Sequence, residues 1–301
     1  MRQARLTAAL RSAPGLARPF TLLAPVVGVL CGSAVAAAAL DRSWFGVALL
    51  WGCLSAALAT AASNAWNQVF DLEVDRINKP QRPLPSGAVS SRMAMIFGSL
   101  CAGAALGFAA LVSVPFLACV AIGVGATWIY SAPPLRLKQR PIGALLAIAL
   151  PRGLLVPVAG WAVIAAPDVS DPWALGVVAF LFVLGAAATK DFSDVAGDRA
   201  YGCRTLPVIL GVHRAARVVA PFLVAPFLLY PAFGALGWLH APMGRLAVLA
   251  AVLVACGLVT AFLLVRDVEG LAHAEKGHPA WRGMYLLLLG TQVGAALVYA
   301  L

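Results

Sequence analysis

The stretch RLAVLAAVLVACGLVTAFLLV, residues 245–265, decides the fold class. It runs for 21 residues with one charge, at its first position. As a helix it rises about 30 Å at 1.5 Å per residue, the thickness of a bilayer's hydrocarbon core. Runs of the same kind recur at 19–40, 44–70, 91–112, 115–131, 141–165, 173–193, 215–238 and 283–301. They are rich in Ala, Leu and Gly and lack the two-residue alternation of a membrane strand. The sequence therefore predicts an all-α, polytopic integral membrane protein with nine transmembrane helices. The 28 Gly suit close helix packing in lipid.

Whole-chain composition agrees. Of 301 residues, 62% are hydrophobic and 11% charged, with a mean hydropathy of +0.90. A soluble domain carries about 25% charged residues. So few charges exclude a cytosolic enzyme, a disordered chain, a secreted disulfide scaffold and a coiled coil. The net charge of +10 is the positive-inside bias of a membrane protein; no basic stripe is interleaved with aromatics, so no nucleic-acid partner is expected. With the N-terminus inside, 19 of the 22 Lys and Arg fall on inner segments, which predicts an N-inside, C-outside topology. Residues 1–18 read as a basic cytoplasmic tail and 19–301 as a single membrane domain. No small-residue cleavage site follows the first run, so it reads as a retained anchor. The six Cys and four His have no metal-ligand spacing.

The 12 acids are not evenly spread. Asp71, Glu73 and Asp75 end the second run; Asp191, Asp194 and Asp198 end the sixth. Asn67, Asp71 and Asp75 are spaced by four, which places them on one helical face. Asp191, Asp194 and Asp198 step by three and four, again one face. The string DxxxDR closes both groups, a hint of internal duplication. Carboxylates at membrane depth are costly and need partners. Crowded together they raise one another's pKa, and a hard divalent cation relieves this. Mg²⁺, two ions across two facing rows, would bridge them to a diphosphate. The basic residues Arg82, Arg136, Lys138, Lys190, Arg199 and Arg204 would complete the charge balance. A single DxxxD is an ordinary solvated face. Two parallel copies with an in-register Asn are not what a solvated loop needs. An ion path in a transporter is the competing class of function.

These residues match a family. NQVFDLEVDRINKPQRPLPSG (67–87) and KDFSDVAGDRAYGCRTLPVILG (190–211) resemble the two aspartate-rich motifs of the UbiA superfamily of intramembrane prenyltransferases. YSAPPLRLK (130–138) resembles the tyrosine and lysine segment between them. The resemblance spans the chain from about residue 20, and nine helices is the family's number. It implies a polyprenyl diphosphate donor, Mg²⁺ and a small hydrophobic or aromatic acceptor drawn from the membrane lipid phase. Carried over position by position, Asn67, Asp71, Asp75, Asp194 and Asp198 would hold metal. Asp191 would support metal or take a proton. Tyr130 and Lys138 would act at the leaving oxygen, with Arg82, Arg136, Lys190, Arg199 and Arg204 on the diphosphate. Many relatives have Asn-Asp where this chain has Asn67-Gln68, which leaves the metal face intact but bears on the acceptor.

The aromatic faces of Trp66, Phe70, Trp128 and Tyr130 lie at a depth to meet a developing carbocation. Arg152, in Pro151-Arg152-Gly153, falls near mid-membrane and is expected to bind an acidic group of the acceptor or to pair with an acid across the cavity. An Arg-Gly at this place resembles homogentisate-type members, YSAPPLRLK resembles chlorophyll synthase, and KDFSDVAGDR resembles the archaeal glyceryl-phosphate enzymes. The expected reaction is prenyl transfer to an aromatic acceptor of the quinone, homogentisate or hydroxybenzoate kind. The alternatives are a glyceryl phosphate or a chlorophyllide carboxylate. The expected location is a bacterial-type inner membrane with the site facing the cytoplasm.

Overall fold

The computed structural model describes residues 14–273 and 277–301. Most of the expected N-terminal tail, with Arg2, Arg5 and Arg11, lies outside the described residues, as does the inner base Lys276. Among the described residues there are nine helices long and apolar enough to cross a membrane: α1 Pro19–Ala39, α2 Val47–Phe70, α3 Ser91–Ala110, α4 Val114–Ser131, α5 Pro141–Ala162, α6 Ser170–Ser193, α7 Val212–Ala235, α8 Met243–Arg266 and α9 Pro279–Ala300. The ends fall within four residues of those read from the sequence. Side chains such as Leu100, Val248, Val259, Phe262 and Leu286 point outward and are exposed, as lipid contact requires.

The helices alternate in direction, and contacts at the two ends show it. At one end Arg42 Nη1 donates to the Ile164 carbonyl and Ser113 Oγ to that of Ala162. At the same end Asp171 accepts from the His240 backbone N–H and side chain and from the Tyr299 hydroxyl. These contacts gather the loops after α1, α3, α5 and α7 and the end of α9. At the opposite end lie the closing residues of α2, α4, α6 and α8 and the opening residues of the others. Of 18 described Lys and Arg, 15 sit at that second end.

Small residues set the closest approaches. Gly32 on α1 faces Gly160 on α5; a Cβ on Gly160 would lie 2.7 Å from the Gly32 Cα. Without a hydrophobic drive between helices in lipid, such backbone contact supplies the packing. Gly160→Val should therefore lower stability by about 1–3 kcal/mol, the range for overpacking a close-packed interior. Thermal melting in detergent checks this, and a melt equal to the parent's would contradict it.

Prolines decide where helices depart from α geometry. Pro151 lacks an N–H, and residues Leu150–Leu154 of α5 form a π turn in which the Leu155 N–H reaches the Leu150 carbonyl. In α7 the sequence APFL occurs twice, at 220–223 and 225–228, and each copy is a 3₁₀ turn begun by its proline. The largest buried cluster joins α6 to α9 and includes Phe182, Phe227, Tyr230, Leu246 and Leu264. It forms a firm wall behind the α6 acids.

Candidate active site

The first acidic group does not lie on one continuous helix. Helix α2 stops at Phe70; Asp71 takes φ −102°, ψ 9°, and a short helix, Leu72–Asn78, follows. Asp194 repeats this at the end of α6, with φ −107°, ψ 4° before a short helix Val195–Ala200. Both junctions keep the helical bond across the break: the Asp75 N–H reaches the Asp71 carbonyl at 2.7 Å, and that of Asp198 reaches Asp194 at 2.9 Å. The duplicated DxxxDR string is thus a duplicated turn. Residues Ala187–Ser193 are 3₁₀, where positions three apart eclipse, so Asp191 and Asp194 share a side.

Asn78 staples the two halves together. Its Nδ2 donates to the Asp194 carbonyl at 3.1 Å, and its Oδ1 accepts from the Gly197 N–H at 2.9 Å. Gly197 must lack a side chain there, because a Cβ would lie 2.6 Å from the Asn78 amide.

The two rows open on one cavity of about 520 Å³. Eleven residues expected from sequence line it: Asn67, Asp71, Asp75, Arg82, Tyr130, Lys138, Arg152, Lys190, Asp191, Asp194 and Asp198. Each cation near an acid is paired. Lys138 pairs with Asp71, Arg82 Nη1 with both oxygens of Asp75 at 2.6 and 2.7 Å, and Lys79 Nζ with Asp194 at 2.7 Å. Asn67 Nδ2 donates to Asp71 Oδ2 at 2.7 Å, Thr205 Oγ1 to Asp198 Oδ2 at 3.2 Å, and Lys190 Nζ to the Tyr130 hydroxyl at 2.7 Å. The other wall is apolar, with Ile148, Phe182, Met284 and Leu288, and ends at Phe20, Trp281 and Tyr285, whose rings lie 4.7 to 5.8 Å apart.

Burial leaves its mark on the charges. It pushes Asp198 up to about 6, aided by the neighbouring charge of Asp194 and opposed by the Thr205 hydrogen bond. Burial also raises Asp75 against the pull of Arg82, and lowers Lys138 to about 8.

Oxygen donors of this kind suit Mg²⁺. Among the described residues no three His, Cys, Asp or Glu side chains converge as a metal cage. Mg²⁺ usually takes one or two carboxylates and completes its shell with water and substrate phosphate, so the open donor set fits a metal brought together with a diphosphate.

Three expected site residues do not line the cavity. Arg136, in left-handed conformation (φ 38°), donates from Nη2 to the Phe70 carbonyl at 3.1 Å and so caps α2. Arg199 follows Asp198 by one residue on a short helix, which turns it about 100° away to an exposed position. Arg204 is exposed, on a loop whose backbone N–H bonds the Gln139 carbonyl at 3.3 Å. Of the four aromatics singled out from sequence only Tyr130 reaches the cavity; Trp66 and Phe70 pack edge-on against Trp128, at 5.0 and 5.5 Å. The sequence reading missed Lys79, Asn78 and Thr205, whose roles come from partners more than a hundred residues away or across a loop.

Gln68 follows Asn67 in the first aspartate-rich motif. It is fully buried away from the cavity, and its Nε2 donates to the Leu16 carbonyl at 3.1 Å while Asn64 Nδ2 donates to that of Ala17 at 2.7 Å. Residues 14–17 thus form a helical turn pinned onto α2, so the part of the expected tail that is described is packed, with Leu16 only 2% exposed.

Comparison with known proteins agrees with this arrangement. Residues 25–271 match the UbiA prenyltransferase family. A digeranylgeranylglyceryl phosphate synthase of Methanopyrus kandleri is 36% identical over 250 residues, covering 80% of this chain and 88% of that protein. One from Methanothermobacter thermautotrophicus is 30% identical over 282 residues, covering 93% and 96%. A solved UbiA homolog from Archaeoglobus fulgidus, bound to GPP and Mg²⁺, superposes with a TM-score of 0.73 at 20% identity, over 96% of this chain and all of that one. The protein is an integral membrane prenyltransferase, and the chain belongs to the UbiA prenyltransferase family.

Proposed function

We propose that this enzyme transfers a geranylgeranyl-type group from its diphosphate to the free hydroxyl of a glyceryl ether phosphate, with Mg²⁺ and release of diphosphate. The observation that carries the reading is the pair of aspartate turns facing one half-apolar cavity. It is joined to sequence kinship with digeranylgeranylglyceryl phosphate synthases. That kinship favours the glyceryl phosphate acceptor over the aromatic ring favoured from sequence. The site faces the cytoplasm by the positive-inside bias.

Asn67, Asp71 and Asp75 on one side, and Asp194 and Asp198 on the other, would hold two Mg²⁺ ions with the diphosphate. When bound, the metal supplies positive charge that stabilises the departing diphosphate. Lys138, Arg82 and Lys79 already sit against these carboxylates. They reach diphosphate oxygens by exchanging one oxygen partner for another, with little movement. Tyr130, held by Lys190, offers its hydroxyl proton toward the leaving oxygen. The apolar wall takes the prenyl tail and excludes water, which would otherwise capture the allylic centre. As the C–O bond to diphosphate breaks, the acceptor oxygen bonds to that carbon and Asp191 takes its proton. The electron pair leaves with the diphosphate.

Purified protein in lipid nanodiscs, given Mg²⁺ and geranylgeranyl diphosphate, tests the reading with separate acceptors. These are geranylgeranylglyceryl phosphate, homogentisate and 4-hydroxybenzoate. Mass spectrometry should find the double ether with the first, at a rate at least tenfold above the others. A prenylated ring as the main product would replace this acceptor with an aromatic one.

A further inference from the structure

Arg152 is the one cation lining the cavity that makes no hydrogen bond or ion pair among the described residues. Guanidinium does not lose its proton in proteins, so a counter-charge must come from elsewhere. Arg152 lies eleven residues into α5, roughly 16 Å along the axis from Pro141 at 1.5 Å per residue. At that depth a lone arginine is costly and marks a polar pathway or ligand. The π turn Leu150–Leu154 presents it, and π turns concentrate at functional positions.

A second observation points the same way. Behind Arg152 is a small cavity of about 30 Å³, which it shares with Tyr230 of α7 and Gln292 of α9. The Tyr230 hydroxyl is wholly buried with no partner among the described residues, and the Oε1 of Gln292, whose residue is 9% exposed, has none there either. Three helices thus aim polar groups at one place in an otherwise apolar interior. A cavity of this size admits about one water, which can link the three groups and fix the guanidinium's direction. On its other side Arg152 lines the large cavity together with Lys190.

We propose that Arg152, positioned by Gln292 and Tyr230, binds the phosphate of the acceptor lipid, separately from the diphosphate held at the aspartate turns. This rests on the acceptor class proposed above. An acceptor phosphate set deeper than the diphosphate brings the neighbouring hydroxyl to the carbon at which the diphosphate leaves. It also lets the site prefer a phosphorylated glyceryl ether over its dephosphorylated form.

The test has a binding arm that does not depend on turnover. Detergent-solubilised protein is melted with geranylgeranylglyceryl phosphate alone, with geranylgeranylglycerol, with a diacyl phosphatidate, and with geranylgeranyl diphosphate plus Mg²⁺. The ether phosphate should stabilise the parent protein, and Arg152→Gln should need at least tenfold more of it for the same shift. Stabilisation by diphosphate plus Mg²⁺ should persist in the variant, which also shows that it folds. Arg152→Lys should recover part of the affinity. In turnover, Arg152→Gln should raise acceptor KM at least tenfold, donor KM less than twofold, and erase the preference for the phosphorylated acceptor. Gln292→Leu should raise the acceptor KM and weaken that preference. Equal loss of donor and acceptor binding would assign Arg152 to the diphosphate and overturn the proposal. Stabilisation by phosphatidate equal to that by the ether phosphate would assign it to lipid headgroups and do the same. A parent protein that binds the ether phosphate yet prenylates only aromatic rings would refute the proposed reaction and leave the phosphate subsite standing.

Discussion

Replacing Asp71 by asparagine should lower kcat by about 10³-fold while the protein stays folded. The size follows from removing one group that stabilises developing charge in a water-poor site. Asparagine keeps the shape and the turn at φ −102° but removes the negative charge. The consequence for Lys138, the ion-pair partner of Asp71, is limited. Burial already holds its ammonium down at about 8, which eases the loss of its proton once the carboxylate is gone. Melting should then shift by only a few degrees. The double variant Asp71→Asn, Lys138→Met should melt like the parent and remain inactive. That combination separates a folding fault from a chemical one. Retention of more than a tenth of kcat in Asp71→Asn would remove this residue from the reaction centre.

Chelation should abolish turnover by at least 10³-fold and leave the melting temperature almost unmoved. The two effects separate because four of the five carboxylates lining the cavity already have protein partners: Lys138 on Asp71, Arg82 on Asp75, Lys79 on Asp194 and Thr205 on Asp198. The site closes its own charge balance without metal, unlike a metal-nucleated fold, whose stability vanishes with the ion. Adding Mg²⁺ with diphosphate should raise the melting temperature by mass action, and adding either alone should do so less. The physical cause is the open coordination: neither partner completes the other's shell without it. A large fall in melting temperature with chelator would mean that the ion pairs do not carry the apo site.

Much of this protein was legible in its sequence. Membrane spans need only length and apolarity, which are local, so all nine runs were placed to within four residues. Spacing of acids is also local, and the five aspartates it singles out, Asp71, Asp75, Asp191, Asp194 and Asp198, all line the cavity. Adjacency to a motif was a poorer guide. Arg199 and Arg204 sit beside the second acidic row in sequence, yet a 100° step per helical residue and a loop turn them outward. Arg136 looked like a phosphate ligand and is occupied with the end of α2.

The sequence by itself determined the lipid-facing all-α class, the end of the molecule where charge collects, and the spacing of the two aspartate rows. Those follow from hydrophobic periodicity and composition, which each segment carries without reference to the others. Only the tertiary structure decided that both aspartate rows begin at a matched break, that Asn78 ties them together, and that Lys79 completes the charge pattern. It alone left the Arg152 side chain without a partner among the described residues. These features are made by groups up to 119 residues apart, and a local pattern holds no information about which distant group arrives.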